Sequence, residues 1–327
     1  RTVRESVSEV TRELDIPGLL LGSGALFSTT YALIEANELG WSDPLIVGML
    51  VASAVLTVSF LLFERRSPKA MLPLRFFRIP AFSAGATVAF SVSFGMFATF
   101  FFMSLYMQLI RGYSACQAGV RFLPMTLLII VAAPNAGRYA SKHGSRIPMT
   151  FGLLLAGTGL LLLSRISIET PYLLMAPVFA IMGIGIGATM APMTAAVMNA
   201  VGPERAGLGS ATTNSAREVG GVFGIALLGT ILTTRLNTVL APALAPLGLA
   251  PATQASIETT AGHGTLDPSQ LAGLPVEQRG AVVAAFRESW MNGFRLSLLV
   301  AGLVLLIAAV VANRFIPGRA HAREVTA

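Results

Sequence analysis

Apolar residues occur along this chain in long runs that are separated by shorter polar and charged segments. Eight of these runs approach or exceed the roughly 20 residues that an α-helix needs to cross a bilayer. The pattern therefore predicts an all-α polytopic membrane protein with about eight transmembrane helices. The predicted spans are residues 16–35, 44–63, 80–109, 118–140, 147–166, 171–198, 206–235 and 293–313.

The seventh predicted span differs from the others because it carries charge near its middle. Arg217 and Glu218 stand side by side in a segment that is otherwise mostly apolar. At about 100° per residue, one face of this helix collects polar and small residues. They are Ser210, Asn214, Arg217, Gly221 and Gly224, with Glu218 at the edge of the face. A charge at membrane depth is costly unless it faces protein or water, so the stripe predicts the wall of a polar cavity.

Composition supports a membrane protein and excludes several other classes. Only 12% of residues are charged, whereas 54% are hydrophobic and the mean hydropathy is +0.71. Soluble domains carry about 25% charged residues. The single cysteine, Cys116, rules out a disulfide framework or a thiolate metal site within the chain, and the three histidines fall in predicted loops or tails. We expect no cofactor, and no nucleic-acid partner despite the net charge of +7.

The basic residues fall mainly in alternate loops, which gives the predicted orientation. Of the 23 Lys and Arg residues, 15 lie on one side of the predicted membrane. They are Arg1, Arg4, Arg12, Arg65, Arg66, Lys69, Arg75, Arg78, Arg138, Lys142, Arg146, Arg205, Arg314, Arg319 and Arg323. Because basic loops stay in the cytoplasm, we expect a multi-pass protein of the cell membrane with both ends cytoplasmic.

This topology divides the chain into six segments. They are an amphipathic cytoplasmic segment at 1–15, two transmembrane helices at 16–63, a basic cytoplasmic loop at 64–79, five further helices at 80–235, an extracytoplasmic loop at 236–292 that closes with an amphipathic helix at 276–290, and a last helix and tail at 293–327. The chain begins at Arg1 within a charged segment, from which we expect an internal part of a longer protein.

Several stretches resemble a known family. Residues 137–146, GRYASKHGSR, resemble the cytoplasmic loop signature of the major facilitator superfamily through Gly137, Arg138, Gly144 and Arg146. Ser141 stands at the position usually held by aspartate, so a glycine-punctuated turn with basic anchors is the alternative to a charge relay. Residues 14–18, 106–124, 190–211 and 214–230 are similar to the fourteen-span drug:H⁺ antiporter group, the EmrB/QacA type of multidrug exporter.

The resemblance implies that the chain is the carboxyl-terminal portion of such an exporter. Residues 16–63 would be its two linking helices, and residues 80–314 its carboxyl-terminal six-helix bundle. The implied partners are the lipid bilayer, a small lipophilic or cationic substrate and a missing amino-terminal six-helix half. A proton gradient would supply the energy. Both a deliberate fragment and an incomplete gene model fit this alignment.

Candidate site residues follow from these patterns. Glu218 is the candidate for proton coupling. Candidates for the substrate path are Asn214, Arg217, Tyr106, Gln108 and Met190, and those for close packing or gating are Gly183, Gly187, Pro192, Gly221 and Gly224. The alternative for Arg217 and Glu218 is structural, as an ion pair or as an arginine bonded to backbone carbonyls that fixes the seventh span to its neighbours.

The favoured function is proton-driven export of drugs or other lipophilic compounds by alternating access. An alternative is a dedicated exporter of an endogenous antibiotic or metabolite. A non-transporting membrane scaffold or sensor is a further alternative. A membrane-embedded enzyme is disfavoured because the sequence shows no metal-ligand cluster and no nucleophile–base spacing.

Overall fold

The computed structural model of the chain describes residues 15–67, 74–261 and 264–318, and the regular structure within these ranges is helical. Eight helices there are long and apolar enough to cross a membrane. This confirms the predicted all-α polytopic fold. Of the predicted segments, residues 1–14, residues 68–73 of the basic loop and residues 319–327 of the tail lie outside the described ranges.

The first two helices form an antiparallel hairpin, α1 (Ile16–Leu39) and α2 (Pro44–Arg66). Each begins at an aspartate that caps a free backbone N–H. The Asp15 carboxylate accepts a hydrogen bond from Gly18 at 3.0 Å, and the Asp43 carboxylate accepts one from Leu45 at 2.8 Å. A proline in each first turn lacks the N–H that would otherwise need a partner. The sequence therefore encodes the start of both helices locally.

The remaining long helices form one bundle. They are α3 (Pro80–Leu105), α5 (Leu123–His143), α6 (Arg146–Leu163), α7 (Tyr172–Val201), α8 (Ala206–Leu244) and α11 (Val276–Phe315). Helix α3 continues as a π-helical turn over Tyr106–Ile110. Three short helices lie between the long ones: α4 (Ala115–Arg121), α9 (Pro251–Ala261) and α10 (Pro268–Ala272). Helix α7 packs on α5 and α6, and α11 packs on α3, α6 and α8. Helix α3 closes the bundle against α7 and α8, and α1 joins it along α8.

Glycines on α7 allow close packing on two sides at once. A Cβ atom at Gly183 would lie 2.3 Å from the Met125 carbonyl oxygen of α5. On the opposite side, a Cβ atom at Gly185 would lie 2.6 Å from the Gly152 carbonyl oxygen of α6. Two residues correspond to about 200° of rotation, so alternate glycines face opposite neighbours. Gly187 faces α5, as Gly183 does, with a Cβ position 2.8 Å from the Ile129 carbonyl oxygen.

The structure corrects the predicted ends of two helices. Helix α8 continues to Leu244 instead of ending at residue 235, because Leu236, Leu240 and Leu244 repeat at helical spacing and are buried. Helix α11 is continuous from Val276, with no break before residue 293. Gly293 lies inside it, where a Cβ atom would come within 2.4 Å of the Leu232 carbonyl oxygen of α8. The predicted loop at 236–292 is therefore largely helical.

These longer helices extend the bundle at one end. At 1.5 Å per residue, the 40 residues of α11 measure about 60 Å, twice the thickness of a bilayer core. The buried core of the bundle continues into this extension through Leu240 of α8, Val282 and Phe286 of α11, and Ile257 of α9. The end of α8, the start of α11 and the short helix α9 thus pack as one unit with the membrane-spanning part.

Candidate functional site

The polar residues predicted on α8 lie on a face that the bundle leaves open. Ser210, Asn214 and Glu218 follow each other at intervals of four residues, and all three are exposed. Glu218 has no hydrogen bond or ion pair within the described residues. Arg217 is half-buried, and its Nε atom is shielded from solvent without a hydrogen-bond partner in the described part of the chain. Glu218 is 12 residues from the start of α8, which places it about 18 Å along the helix axis.

The two glycines of the predicted stripe, Gly221 and Gly224, lie further along α8 than the polar residues and are buried against α3. A Cβ atom at Gly224 would lie 2.4 Å from the Phe94 carbonyl oxygen of α3. One at Gly221 would lie 2.9 Å from the Phe97 ring. Helix α3 thus covers the glycine part of the predicted face, and Ser210, Asn214 and Glu218 stay exposed.

The other predicted path residues do not join this open face as a group. Tyr106 is fully buried, donates its hydroxyl proton to the Ser167 carbonyl oxygen at 3.0 Å and stacks on Phe294. It has no exposed surface to offer a substrate. Gln108 is exposed in the π-helical turn and donates to the Ser104 hydroxyl at 2.7 Å. Met190 is half-buried and packs against the main core.

The segment from Tyr106 to Arg121 contacts the connection between α6 and α7 at one end of the bundle. The Arg111 guanidinium donates hydrogen bonds to the Ile168 and Thr170 carbonyl oxygens, in the connection between α6 and α7. It also donates to the Tyr113 hydroxyl at 3.3 Å, and this hydrogen bond lowers the pKa of Tyr113. Arg121 lies over the Tyr113 ring, 3.7 Å from its centroid. Charged and aromatic side chains of residues 106–121 therefore stabilise the contact between this segment and the connection from α6 to α7.

The loop signature at 137–146 also has a structural explanation. Gly144 ends α5 with a φ of +93°, a conformation that other residues rarely adopt. Arg146 donates from its Nε atom to the side-chain oxygen of Asn313 at 3.0 Å, which ties the start of α6 to the end of α11. Gly137 lies near α7, and Arg138 is exposed. These contacts fit a tight turn with a basic anchor.

Pro192 and the predicted packing glycines of α7, Gly183 and Gly187, are buried inside the bundle. Pro192 is buried inside α7, which also contains Pro177. An interior proline removes one backbone hydrogen bond of the helix. The close approach predicted at Gly183 and Gly187 is present between α7 and α5. The gating role of these residues stays a prediction.

A cavity of about 850 Å³ lies between the amino-terminal hairpin and the bundle. Its wall is mainly apolar and comes from α1, α3, α8, α11 and the segment after α9; it includes Leu33, Phe101 and Ile225. Trp290 lines it too, and its fully buried indole Nε1–H has no hydrogen-bond partner in the described residues. The volume is in the range of sites that bind drug-sized molecules. The sequence pattern does not reveal this cavity, because the residues of its wall are far apart in the chain.

Comparisons with known proteins identify a family and several relatives of this chain. The profile described as Major Facilitator Superfamily matches residues 47–225. The chain is 31% identical over 304 residues to the tetracenomycin C resistance and export protein of Streptomyces glaucescens, an alignment that covers 92% of this chain and 56% of that protein. It is 32% identical over 317 residues to a puromycin resistance protein of Streptomyces alboniger, with coverages of 96% and 56%.

A third relative is the multidrug resistance protein Stp of Mycobacterium tuberculosis. It is 28% identical over 323 residues, which cover 98% of this chain and 60% of that protein. The chain therefore spans a little over half the length of the curated relatives it matches.

Proposed function

Because this chain belongs to the major facilitator superfamily, we propose that it forms the carboxyl-terminal portion of a fourteen-span transporter that exports lipophilic or cationic drugs in exchange for protons. The names of the relatives support drug export, since they include a multidrug resistance protein as well as proteins named for one antibiotic. The single-antibiotic names also favour a second candidate, a dedicated exporter of one antibiotic or metabolite.

The open polar face of α8 is the observation that carries this proposal. An exposed carboxylate and a half-buried guanidinium without described partners, in the middle of an apolar helix, are costly if they face lipid. A second helical bundle placed over this face would remove the groups from lipid and enclose a polar path. Protonation of Glu218 would then remove its charge and change which state of the path is favoured.

We infer that the transport unit includes an amino-terminal six-helix half in addition to the described helices. Alternating access requires one bundle to move against another around a central site. The chain supplies one bundle and a hairpin that packs on α8, beside the open face. The cavity lined by Trp290 supports a lipophilic substrate class, since most of its wall is apolar.

Transport by reconstituted protein tests the proposal. We expect the chain joined to its amino-terminal half, in proteoliposomes with an imposed pH gradient, to move ethidium across the membrane, and we expect a protonophore to abolish this movement. The described portion alone should insert into the liposomes yet move no dye, because it lacks a second bundle. Movement of dye at the same rate with and without the gradient would contradict proton-driven export. Absence of movement with the complete protein would favour a scaffold or sensor.

The proposed orientation places both chain ends in the cytoplasm, and the native cysteine can test it. Cys116 is exposed at the start of α4, the end of the bundle that we assign to the outside. A membrane-impermeant maleimide should therefore label Cys116 on intact cells. In a Cys116→Ser background, Ser141→Cys at the other end of α5 should react only after the membrane is permeabilised. The opposite pattern would reverse the assigned orientation.

A further inference from the structure

Three arginines from three parts of the bundle line one pocket of about 550 Å³. Arg165 lies just past the end of α6, Arg235 lies on α8 and Arg295 lies on α11. The other residues of the wall are Ser164, Asn292, Leu296 and Leu299. The wall thus brings three positive charges together and contains no carboxylate among the described residues.

The guanidinium groups of this pocket are available to a ligand. Arg295 donates from its Nε atom to the Ile166 carbonyl oxygen at 2.8 Å, which fixes the position of its side chain. Its two terminal nitrogens have no hydrogen bond to another described residue. Arg165 and Arg235 are exposed, and their side chains have no hydrogen bond or ion pair within the described ranges. Because like charges repel, an anion between the three groups would be bound favourably.

The pocket lies about one bilayer-core thickness from the opposite end of the bundle, which is the level expected for phospholipid headgroups. Arg295 precedes the end of α11 at Phe315 by 20 residues, a distance of about 30 Å along the helix. This distance equals the thickness of a bilayer core, so Arg295 stands at one boundary when Phe315 stands at the other. Arg165 is two residues past Leu163, the last residue of α6, and this helix of 18 residues begins at the other end of the bundle.

An exposed apolar stripe begins in the pocket and follows α11 across the membrane. From Arg295 toward the carboxyl-terminal end of α11, large aliphatic side chains recur every three or four residues on one face of the helix. These side chains are 36–68% exposed. They are Leu296, Leu299, Leu303, Ile307 and Val310. The site therefore has a cationic end at the headgroup level and an apolar surface that continues into the hydrocarbon region.

We propose that this pocket binds the phosphate group of an anionic phospholipid, whose acyl chain lies along the α11 stripe. Guanidinium groups bind phosphate oxygens through paired, charge-assisted hydrogen bonds. A zwitterionic headgroup would bring an ammonium group toward three positive charges that have no carboxylate among them, so an anionic headgroup fits better. This inference is independent of the proposed transport activity.

Lipid binding to the delipidated, detergent-solubilised protein tests the proposal. Native mass spectrometry would compare dioleoyl phosphatidylglycerol with dioleoyl phosphatidylcholine, which have the same acyl chains. We expect the wild-type protein to retain phosphatidylglycerol, and the double variant Arg165→Gln with Arg235→Gln to bind it at least about tenfold more weakly, because two charge-assisted contacts are lost. Arg295 stays unchanged in this variant because its Nε atom supports the connection after α6.

Two control variants keep the result interpretable. Arg287→Gln removes an arginine of α11 that does not line the pocket and should leave phosphatidylglycerol binding unchanged. Arg165→Lys with Arg235→Lys keeps both charges and should retain most of the binding, which separates loss of charge from loss of fold. Equal binding of phosphatidylcholine, or full binding by the glutamine variant, would overturn the proposal. Release of the lipid by millimolar inorganic phosphate would also overturn it and assign the pocket to a soluble phosphate.

Discussion

Replacing Gly224 with alanine should destabilise the bundle by about 1–3 kcal/mol, because the added methyl group has no space at the contact between α8 and α3. The Cβ atom would lie 2.4 Å from the Phe94 carbonyl oxygen. A backbone atom cannot rotate away as a side chain can, so the two helices would have to separate. Gly220 makes the same contact one turn earlier, with a Cβ position 2.2 Å from the Phe90 carbonyl oxygen. The variant with alanine at both positions should unfold most easily.

Thermal unfolding of the purified protein in detergent measures this effect, and α8 supplies its own control. Gly207 lies in the first turn of the same helix, and a Cβ atom there would meet no atom within 4 Å. Gly207→Ala should therefore leave the unfolding temperature unchanged, or raise it slightly through the better helix propensity of alanine. Equal unfolding temperatures for Gly224→Ala and Gly207→Ala would mean that the close contact does not contribute to stability.

Replacing Glu218 with glutamine in the proposed fourteen-span transporter should reduce gradient-driven export of a cationic dye by about tenfold or more, because it removes a titratable charge from membrane depth. Glutamine keeps the size and hydrogen-bonding capacity of the side chain while it cannot release a proton. Since Glu218 is exposed on the open face of α8 and has no partner among the described residues, the change should spare folding. Dye efflux from energised vesicles, at matched protein levels in the membrane, measures the loss.

A second acidic residue gives the matched control for Glu218. Glu204 is exposed in the short turn before α8, outside the apolar part of the helix. Glu204→Gln removes the same charge at the membrane surface and should leave export unchanged. Normal gradient-driven efflux by Glu218→Gln across several dyes would return Glu218 to a structural role. Arg217→Ala should affect folding or transport more broadly, because it removes a half-buried charge from the same helix.

The sequence was a good guide to the membrane-spanning helices, since their lengths and apolar runs follow from the thickness of the bilayer. It was a poor guide to helix ends beyond the bilayer. Leu236, Leu240 and Leu244 repeat at helical spacing, but the sequence does not show that α11 packs beside α8 and buries this part of the helix. Gly293 stands at the predicted start of the last span, yet it lies within α11 at a close contact with α8.

The candidate site was predictable only in part. Asn214, Arg217 and Glu218 stand out because charge and amide groups are rare in an apolar run. Helix α3 covers Gly221 and Gly224 and leaves Asn214 and Glu218 exposed, and helical periodicity alone does not give the position of α3. The arginine pocket was not predicted because Arg165, Arg235 and Arg295 are 60 or more residues apart in the chain. Their approach results from the packing of α6 and α8 on the two sides of α11.

The extension built from α8, α9 and α11 has a practical consequence. Its buried leucines and Phe286 belong to the same core as the membrane-spanning part, so it should keep its shape on intact cells. On the proposed orientation it faces the outside, where antibody fragments have access. An antibody fragment that binds α8 and α11 at the same time would recognise the folded protein specifically. It would also add a rigid mass outside the detergent micelle, which is what particle alignment in electron cryomicroscopy of a small membrane protein requires.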